Sequence, residues 1–473
     1  MKEIERVSDF KRILRKGNWK VFGIGGLPET RSEAYFIIDD FELICSKKTS
    51  ELNSVEKKIK TKVFNIENNS KKGEAILSDK KVIEYINASS KKKNVAIYIF
   101  RSSSVIEKIC EENGWILMAE KSNLFNKVDS RIFFFELLER INCSRNFEVL
   151  WSNQIFAKSS QLFEKFGEKI VIQTFSSAGG KGTFFAKKNN IKKILKELSL
   201  KEKQKIVVNS FVEGFDVAIT GCVTDKNGIL SGWARYQFVG VAAIVAGKKY
   251  GKHSFCGNDW QINSQHRSEI QKQGEKFVQK IGNILEKENF KGIFGIDFIY
   301  DKKNKNLIPL EINPRLIGSF PIETQFEILN QELPLVGFHF LEFLGIDYKI
   351  DESLKSKQRK KLTKKCSHIV LANFLEHDIK FEKDLKGGVY RVEDEKLIFV
   401  REGFQVNDIE EIKKEFVLSA GVPNLGTQYK KNNQLFRIIW GKSIQVNDGR
   451  DITAEAKNII NIVKKEIKKL IVD

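Results

Sequence analysis

The sequence has few of the residue patterns that bind structural metals or form disulfide frameworks. Its six cysteines include no C-x-x-C pair, and its five histidines include no H-x-x-x-H spacing. Zinc sites and disulfide-stabilised secreted domains are usually recognised by such spacings. We therefore expect the cysteines to be reduced, buried thiols. They lie at positions 45, 110, 143, 222, 256 and 366.

Long apolar segments are also missing. The apolar run at residues 238–246 is much shorter than the roughly 20 residues that a membrane helix needs. The first residues, MKEIERVSDFKRILRKG, carry charges throughout and contain no apolar core of a secretory signal. We expect a soluble, cytoplasmic protein without a membrane partner. Its 473 residues predict about two to four domains.

Arginine is scarce although the net charge is high. The formal charge is +20, but only 16 of the 81 basic residues are arginine, the residue that reads bases through paired hydrogen bonds. The lysines are spread along the chain in short runs such as Lys91-Lys92-Lys93. This distribution disfavours a nucleic-acid partner and favours a field that attracts small anionic ligands.

The first 145 residues alternate strand-like and helix-like patterns, which predicts a small α/β unit with a parallel sheet. A Gly23-x-Gly25-Gly26 turn can cradle a phosphate, but it lacks the dinucleotide-binding fingerprint, so a tight structural turn is favoured. The predicted strands are residues 20–25, 34–40, 95–100 and 115–119.

The rest of the chain has a different pattern. A helical, linker-like segment is expected at residues 146–169, followed by strands and glycine-rich turns to about residue 345. A polar stretch from residue 351 precedes short strands and two helices, which predicts a smaller closing α+β domain. These strands are expected at residues 367–374, 388–391 and 396–400, and the helices at residues 408–416 and 454–471.

Carboxylates in two apolar, strand-like segments are the strongest functional signal. The segments GIFGIDFI and LIPLEI flank the polar turn DKKNK, which predicts a β-hairpin. Because strand side chains alternate, Asp297, Glu311 and Asn313 are expected on one face with Arg315 beside them. Such oxygen ligands suit Mg²⁺ bound to a triphosphate, and arginine suits a transferring phosphoryl group. The alternative, a solvated ladder of charges, is disfavoured by the apolar neighbours.

A second signal is the segment KIVIQTFSSAGGKGT, at residues 169–183. Its small residues let backbone N–H groups approach phosphate oxygens, and Lys181 adds a charge. It is not a Walker A loop, because it joins strand to strand; glycine-rich hairpin loops are common, so it is weak evidence alone. Its candidate nucleotide-binding residues are Gln173, Ser176, Ser177, Gly179, Gly180, Lys181, Gly182 and Thr183.

A third signal is the segment KIVVNSFVEGFD, at residues 205–216. It predicts a strand, a short polar hinge, a glycine turn and a further strand. The hinge backbone can pair with the edge of an adenine, and its polar side chains can receive an amino group or ribose hydroxyls. The candidate residues are Asn209, Ser210, Val212, Glu213 and Asp216.

The order of these three motifs resembles that of the ATP-grasp superfamily, which includes carbamoyl-phosphate synthetases, biotin carboxylase and many carboxylate–amine ligases. The resemblance covers about residues 146–345, and E-x-N-P-R after an upstream acid is its most specific part. It implies a nucleotide held between two α+β lobes. It also implies metal-binding roles for Asp297, Glu311 and Asn313 and a catalytic role for Arg315.

One residue departs from the family pattern. The family generally has a lysine at the end of the strand before the glycine-rich loop, where it contacts the nucleotide phosphates, and this chain has Gln173. Glutamine keeps a donor but loses the charge, which is expected to weaken phosphate binding unless Lys181 compensates. A similar glutamine occurs in a peptide-ligase-like branch, so the departure slightly favours amide ligation.

Residues 232–261 are expected to face the acceptor side of such a site. Trp233, Arg235 and Gln237 share one alternating face. Arg235 is a second candidate catalytic residue, for an acyl phosphate or a substrate carboxylate, and Asn258-Asp259 can position an amine. A polar strand edge with a solvated loop is the alternative.

The resemblance implies a multidomain α/β and α+β fold. An N-terminal α/β pre-ATP-grasp domain is expected at residues 1–145, a two-lobed ATP-grasp domain at residues 146–350, and a small α+β domain at residues 351–473. The implied cofactors are ATP and Mg²⁺, with Mn²⁺ as the alternative metal. The implied substrates are a small carboxylate and a small amine, such as amino acids or peptides, and a homo-oligomer is compatible with this fold.

The activity that the resemblance implies is ADP-forming amide ligation through an acyl phosphate. Two alternatives belong to other classes of protein. The first is a non-catalytic ATP-binding or regulatory protein, which Gln173 favours. The second is a basic nucleic-acid-binding protein, whose binding would depend strongly on salt.

Overall fold

The computed structural model describes residues 2–66, 72–143, 147–175, 182–197, 204–245, 254–355 and 362–472. Within these residues, a parallel α/β region is followed by antiparallel sheets with helices packed on them. The mixed α/β and α+β multidomain fold that the sequence predicts is confirmed.

The N-terminal region is built around a parallel sheet with the strand order β4-β3-β2-β5-β6. Its strands are β1 Lys2–Ile4, β2 Trp19–Gly25, β3 Phe41–Cys45, β4 Val63–Asn65, β5 Asn94–Ile99 and β6 Ile116–Met118. Its helices are α1 Val7–Arg15, α2 Leu52–Ile59, α3 Gly73–Leu77, α4 Lys80–Ser90, α5 Ser104–Glu112, α6 Ser122–Val128 and α7 Arg131–Arg140. Strands β2 and β5 are almost continuously apolar because helices cover both faces of the sheet.

Residues 34–40, which were predicted to form a strand, do not form one. A 3₁₀ helix occupies Ser32–Phe36, and the next strand begins only at Phe41. The tight turn buries Glu33, whose Oε1 accepts a hydrogen bond from the hydroxyl of Tyr98 at 2.7 Å. A tertiary partner for one polar side chain therefore outweighs the strand pattern of its apolar neighbours.

The next region is a small antiparallel sheet with the order β7-β10-β8-β9. Its elements are β7 Phe147–Trp151, α8 Ile155–Phe166, β8 Lys169–Thr174, β9 Thr183–Lys187, α9 Ile191–Glu197 and β10 Lys205–Ser210. The prediction of one helical linker at residues 146–169 was wrong over its first part. Residues Phe147–Trp151 pair with β10 instead, and the helix begins at Ile155.

A larger antiparallel sheet follows this one along the chain. Its strands are β11 Gly214–Thr224, β12 Gly228–Ser231, β13 Arg235–Val239, β14 Phe255–Asp259, β15 Gly292–Asp301 and β16 Asn306–Asn313. The long helix α10, Ser264–Lys287, packs against β11 and β12. Three shorter elements follow, α11 Phe320–Leu329, α12 Leu335–Phe343 and β17 Tyr348–Ile350, and β17 pairs with β1.

The sheet continues into the C-terminal region, because β14 pairs with β18. The remaining elements are α13 Glu352–Lys355, β18 Ser367–Ala372, β19 Ile379–Phe381, β20 Gly388–Glu393, β21 Lys396–Arg401, β22 Glu415–Ser419, β23 Gln428–Tyr429, β24 Gln434–Trp440, β25 Gln445–Val446, β26 Asp451–Ile452, α14 Ala454–Leu470 and β27 Ile471–Val472. The polar segment at residues 351–366 thus separates two stretches of chain that share one sheet.

The helix predicted at residues 408–416 is absent from this described segment. A 3₁₀ turn at Val406–Asp408 leads into a loop, and Glu415 already belongs to β22. The buried Glu415 carboxylate accepts hydrogen bonds from two backbone N–H groups of the loop and from the Arg401 guanidinium. These bonds favour the loop over a helix.

None of the described helices combines the length and the apolar composition that crossing a bilayer takes.

Candidate active site

The hairpin of β15 and β16 has the pairing that the sequence predicts. Asp297 lies opposite Glu311, and Gly295 lies opposite Asn313. The polar turn between the strands lets the apolar residues on both sides pack into the core around α10. The two carboxylates and the amide therefore share one face of the sheet, as expected.

Hydrogen bonds join these three side chains. Asn313 Nδ2 donates to Asp297 Oδ2 at 3.2 Å and to Glu311 Oε1 at 3.5 Å. Gln237, on β13, donates from Nε2 to Asp297 Oδ1 at 2.7 Å. Asn313 turns its amide nitrogen towards the carboxylates, so metal ligation through its oxygen requires a half-turn of the amide. Through its hydrogen bond to Asp297, Gln237 connects β13 to the carboxylates of the hairpin.

The electrostatics of the cluster favour a cation. Burial, and then the charge of Glu311, raise the pKa of Asp297 to about 8. The charge of Glu311 contributes because a nearby negative charge disfavours ionisation of Asp297. A divalent ion between them would reverse it, and the oxygen donors present are those that Mg²⁺ prefers. The donor set thus fits the metal that the sequence predicts.

Arg315 lies beside the cluster. Its Nη2 donates to Asn313 Oδ1 at 2.7 Å, its Nη1 donates to the Leu316 carbonyl at 3.3 Å, and its guanidinium lies 4.8 Å from the centre of the Phe100 ring. Burial lowers the pKa of Arg315, although the carboxylates of Asp129 and Glu311 oppose this effect. The guanidinium is held in place by contacts made before any substrate binds.

The other candidate catalytic residue, Arg235, is deeply buried. It is 1 % exposed and pairs with Glu323 at 3.2 Å between Nη1 and Oε1. The same nitrogen donates to the Thr220 hydroxyl at 3.2 Å. A substrate would reach this guanidinium only by displacing the ion pair, because Arg235 is buried and does not lie at an open surface.

Asn258 and Asp259 are also buried, at 1 % and 0 % exposure. Asp259 Oδ2 accepts hydrogen bonds from the Ser443 hydroxyl at 2.8 Å and from the backbone N–H groups of Ile444 at 2.8 Å and Gln445 at 3.0 Å. Asn258 donates to the Tyr236 carbonyl at 3.1 Å. In the structure both side chains are engaged in holding β14 to its neighbours.

Only part of the glycine-rich loop lies within the described residues. Ser176, Ser177, Gly179, Gly180 and Lys181 lie outside them. Thr183 pairs with Gln173, and the Gly182 carbonyl accepts from the Thr174 N–H at 3.0 Å. These contacts define the strands on both sides of the loop.

Gln173 lies next to an arginine that the sequence motifs do not reveal. Arg131 Nη1 donates to Gln173 Oε1 at 3.4 Å, and Arg131 Nε donates to the Thr174 carbonyl at 3.1 Å. Gln173 Nε2 in turn donates to the Thr183 hydroxyl at 3.3 Å. A positive charge is therefore present beside the position where the family generally has lysine.

Arg131 is the first residue of α7, where a cation is unfavourable because the helix N-terminus carries partial positive charge. The preceding Ser130 caps the helix by accepting from the Phe133 N–H at 3.2 Å. Arg131 directly follows the N-cap serine, at a position where its charge does not stabilise the helix. This position is the feature of the sequence that could have indicated a role for Arg131 outside the helix.

The hinge residues connect β10 of the small sheet to β11 of the larger sheet. Asn209 is 1 % exposed, and both polar atoms of its amide are buried without a hydrogen-bond partner among the described residues. Ser210, Val212 and Asp216 are half-buried, and Glu213 is exposed. Burial raises the pKa of Asp216 to about 6. The hinge therefore offers unsatisfied polar groups next to solvent-accessible ones.

The chain thus has a small antiparallel sheet with a glycine-rich connection and a larger sheet whose hairpin carries two carboxylates, an asparagine and an arginine. This is the arrangement that the resemblance to the ATP-grasp fold leads us to expect. Residues 154–319 match the family model of the ATP-grasp domain. This part of the chain is therefore an ATP-grasp domain.

Solved structures of low sequence identity share this fold. Biotin carboxylase from Campylobacter jejuni is 10 % identical with a TM-score of 0.57, and the match covers 96 % of this chain and 91 % of that chain. Phosphoribosylamine–glycine ligase from Thermotoga maritima is 14 % identical with a TM-score of 0.54, covering 96 % and 97 %. N5-carboxyaminoimidazole synthetase from Staphylococcus aureus, complexed with ADP, is 13 % identical with a TM-score of 0.51, covering 96 % and 96 %. A comparison with curated protein sequences found no match.

Proposed function

We propose that this chain is an ATP- and Mg²⁺-dependent carboxylate–amine ligase that forms an amide bond and releases ADP and phosphate. The observation that carries the proposal is the cluster of Asp297, Glu311 and Asn313 with Arg315 beside it. Such a cluster serves phosphoryl transfer, in which catalysis comes from positioning and charge stabilisation.

In the proposed reaction a carboxylate oxygen attacks the γ-phosphorus of ATP. The bond from that phosphorus to the bridging oxygen breaks, ADP leaves, and an acyl phosphate forms. The nitrogen of the amine then attacks the acyl carbon and loses a proton, while the carbon–oxygen bond to phosphate breaks. The products are an amide, ADP and phosphate.

The chain's own groups have separate tasks in this scheme. Asp297, Glu311 and Asn313 would hold Mg²⁺, which supplies charge neutralisation for the triphosphate. Arg315 is positioned by Asn313 and by the Leu316 carbonyl to donate to the transferring phosphoryl group. Arg131 supplies positive charge where Gln173 has none.

The test is phosphate release from ATP and Mg²⁺ with pairs of small acids and amines, starting with amino acids. We expect release only when an acid and an amine are both present. Direct measurement of ATP binding by thermal shift serves as the control. ATP binding without phosphate release from any pair would instead support the non-catalytic alternative, which the uncharged Gln173 favours.

Arg131→Gln is expected to weaken ATP binding by about 10–100-fold, because hydrogen bonds to charged groups contribute about 1.5–3 kcal/mol. Adding Gln173→Lys to Arg131→Gln should restore most of the affinity, since the charge returns to a neighbouring position. Isothermal titration with ATP measures both effects.

The control for this pair is Arg140→Gln, at the exposed end of α7, where the arginine pairs with Glu288 at 3.2 Å. This variant should bind ATP like the wild type. If Arg131→Gln bound ATP with unchanged affinity, Arg131 would not contribute to nucleotide binding.

A further inference from the structure

A cavity between the N-terminal and C-terminal regions lies outside the carboxylate cluster of Asp297 and Glu311. Its volume is about 740 Å³. It opens where β2 and β5 end, the point at which the strand order of the parallel sheet reverses. Ligands of open α/β sheets bind in the crevice outside the carboxyl ends of the strands at such a point. The start of α11 and strands β22 and β24 close the other side.

The loop after β2 brings two charged residues, Glu29 and Arg31, to this cavity. Gly23 and Gly25 allow the loop to fold back on the strand. A Cβ on Gly23 would lie 2.9 Å from Arg31 Cβ, and a Cβ on Gly25 would lie 2.0 Å from the Thr30 hydroxyl. The glycines at positions 23 and 25 are therefore needed because the loop packs too closely against the strand for a larger side chain.

Glu29 and Arg31 are buried and have unsatisfied polar atoms. Glu29 is 6 % exposed and Arg31 is 4 % exposed, and both line the cavity. Neither carboxylate oxygen of Glu29 nor Arg31 Nη1 has a hydrogen-bond partner among the described residues. Arg31 also has a left-handed backbone, with φ of 73°, which costs energy in a non-glycine residue. Glu29 adjoins the carboxylate of Glu51, and the charge of Arg31 is near Glu33 and the Tyr98 ring. Buried polar atoms that make no hydrogen bond are costly, so a ligand that bonds to those of Glu29 and Arg31 is favoured.

The carboxylate of Glu51 adjoins that of Glu29. Burial, and then the charge of Glu51, raise the pKa of Glu29 well above its usual value, while Arg437 opposes this effect. A proton shared by the two carboxylates relieves their repulsion in the free protein, and a bound ammonium group would replace that proton. Oε1 of Glu51 accepts from the Gly421 N–H at 2.8 Å, which fixes its position.

Positive charge lines the same cavity. Arg437, on β24, donates from Nη2 to the Gly318 carbonyl at 2.8 Å and has its Nη1 3.1 Å from His368 Nδ1. Glu33 is a carboxylate that acts on Arg31, but burial raises the pKa of Glu33 and its Oε1 already accepts from Tyr98. The guanidinium groups of Arg31 and Arg437 can therefore serve an anionic group of a ligand.

We propose that this cavity binds the acid substrate of the ligase, and that this substrate is an amino acid or a larger molecule with a free amino acid group. Glu29 receives the ammonium group and Arg31 receives the carboxylate. The inference rests on the proposed ligase function. A phosphate-only ligand would fit the arginines but would be repelled by Glu29 and Glu51.

The proposal assigns this amino acid to the carboxylate side of the reaction. An ammonium group held by a carboxylate keeps its proton and is not a nucleophile. The cavity also adjoins the proposed reaction centre. Phe100 lines the cavity, and the guanidinium of Arg315 lies 4.8 Å from the centre of the Phe100 ring. A carboxylate in the cavity therefore lies on the side of Arg315 that faces the N-terminal region.

The experiment measures binding of free L-amino acids, their N-acetyl derivatives and their amides to the full chain by isothermal titration, with and without ATP and Mg²⁺. We expect at least one free amino acid to bind, and its N-acetyl derivative and its amide to bind at least about tenfold more weakly. Equal binding of either derivative, or binding of ATP but of no amino acid, would overturn the inference.

Variants separate the residues. Glu29→Gln should weaken amino acid binding at least about tenfold, leave ATP binding unchanged and leave the melting temperature unchanged or higher, because the repulsion from Glu51 is lost. Glu74→Gln is the matched control, since Glu74 lines the same cavity but is exposed. Wild-type amino acid affinity in Glu29→Gln would also contradict the inference. Failure of the ligase proposal looks different: ATP does not bind, or the amino acid binds without phosphate release with any amine.

Discussion

Glu311→Gln is expected to lower ATP-dependent phosphate release by about 10²–10³-fold. Glu311 is exposed on β16 and provides one of the two carboxylates of the proposed metal site. Glutamine keeps the size of the side chain but removes the charge that holds a divalent ion. The same change removes the repulsion that raises the pKa of Asp297, so the fold should be as stable as that of the wild type.

The measurement is phosphate release as a function of Mg²⁺ and Mn²⁺ concentration, together with the melting temperature. Glu286→Gln, an exposed glutamate on α10 in the same domain, is the control for the substitution itself. If Glu311→Gln retained full turnover at low metal concentration, the metal assignment would be wrong.

Arg315→Lys is expected to lower kcat by about 10²-fold and to change the KM for ATP little. Lysine keeps the charge but presents it as one point, whereas the guanidinium bonds Asn313 and the Leu316 carbonyl at once and still has donors to spare. An interaction that is made mainly in the transition state affects kcat more than KM.

Steady-state kinetics with varied ATP, at saturating acid and amine, separate the effect on kcat from the effect on KM, and Arg140→Lys on the exposed end of α7 is the control. A rise in the KM for ATP with unchanged kcat would show that Arg315 binds the ground-state nucleotide and takes no part in phosphoryl transfer. Binding of ATP by isothermal titration gives an independent measure of the same distinction.

The β15–β16 hairpin that carries Asp297 and Glu311 was predictable because the residues that determine it are close in sequence. A polar turn, two apolar segments and the period-two alternation of strands specify that Asp297 faces Glu311. The same local reasoning failed where a single distant partner decides the conformation. Glu33 accepts a hydrogen bond from Tyr98, and the strand predicted at residues 34–40 is absent. Glu415 accepts a hydrogen bond from Arg401, and the helix predicted at residues 408–416 is absent.

The residues next to Arg131 and Glu29 in the sequence do not indicate which side chains these two residues contact in the folded protein. Arg131 meets Gln173 only when the first residue of α7 lies beside the end of β8. Glu29 meets Glu51 only when two N-terminal loops come together, and it meets the charge of Arg437 only when these loops contact the C-terminal strands. The sequence by itself determined the order of the motifs, the paired carboxylates and the class of fold, because these follow from alternation and turns. Only the tertiary structure decided which charges share a cavity, because burial and electrostatic interaction depend on distance in space and not on separation along the chain.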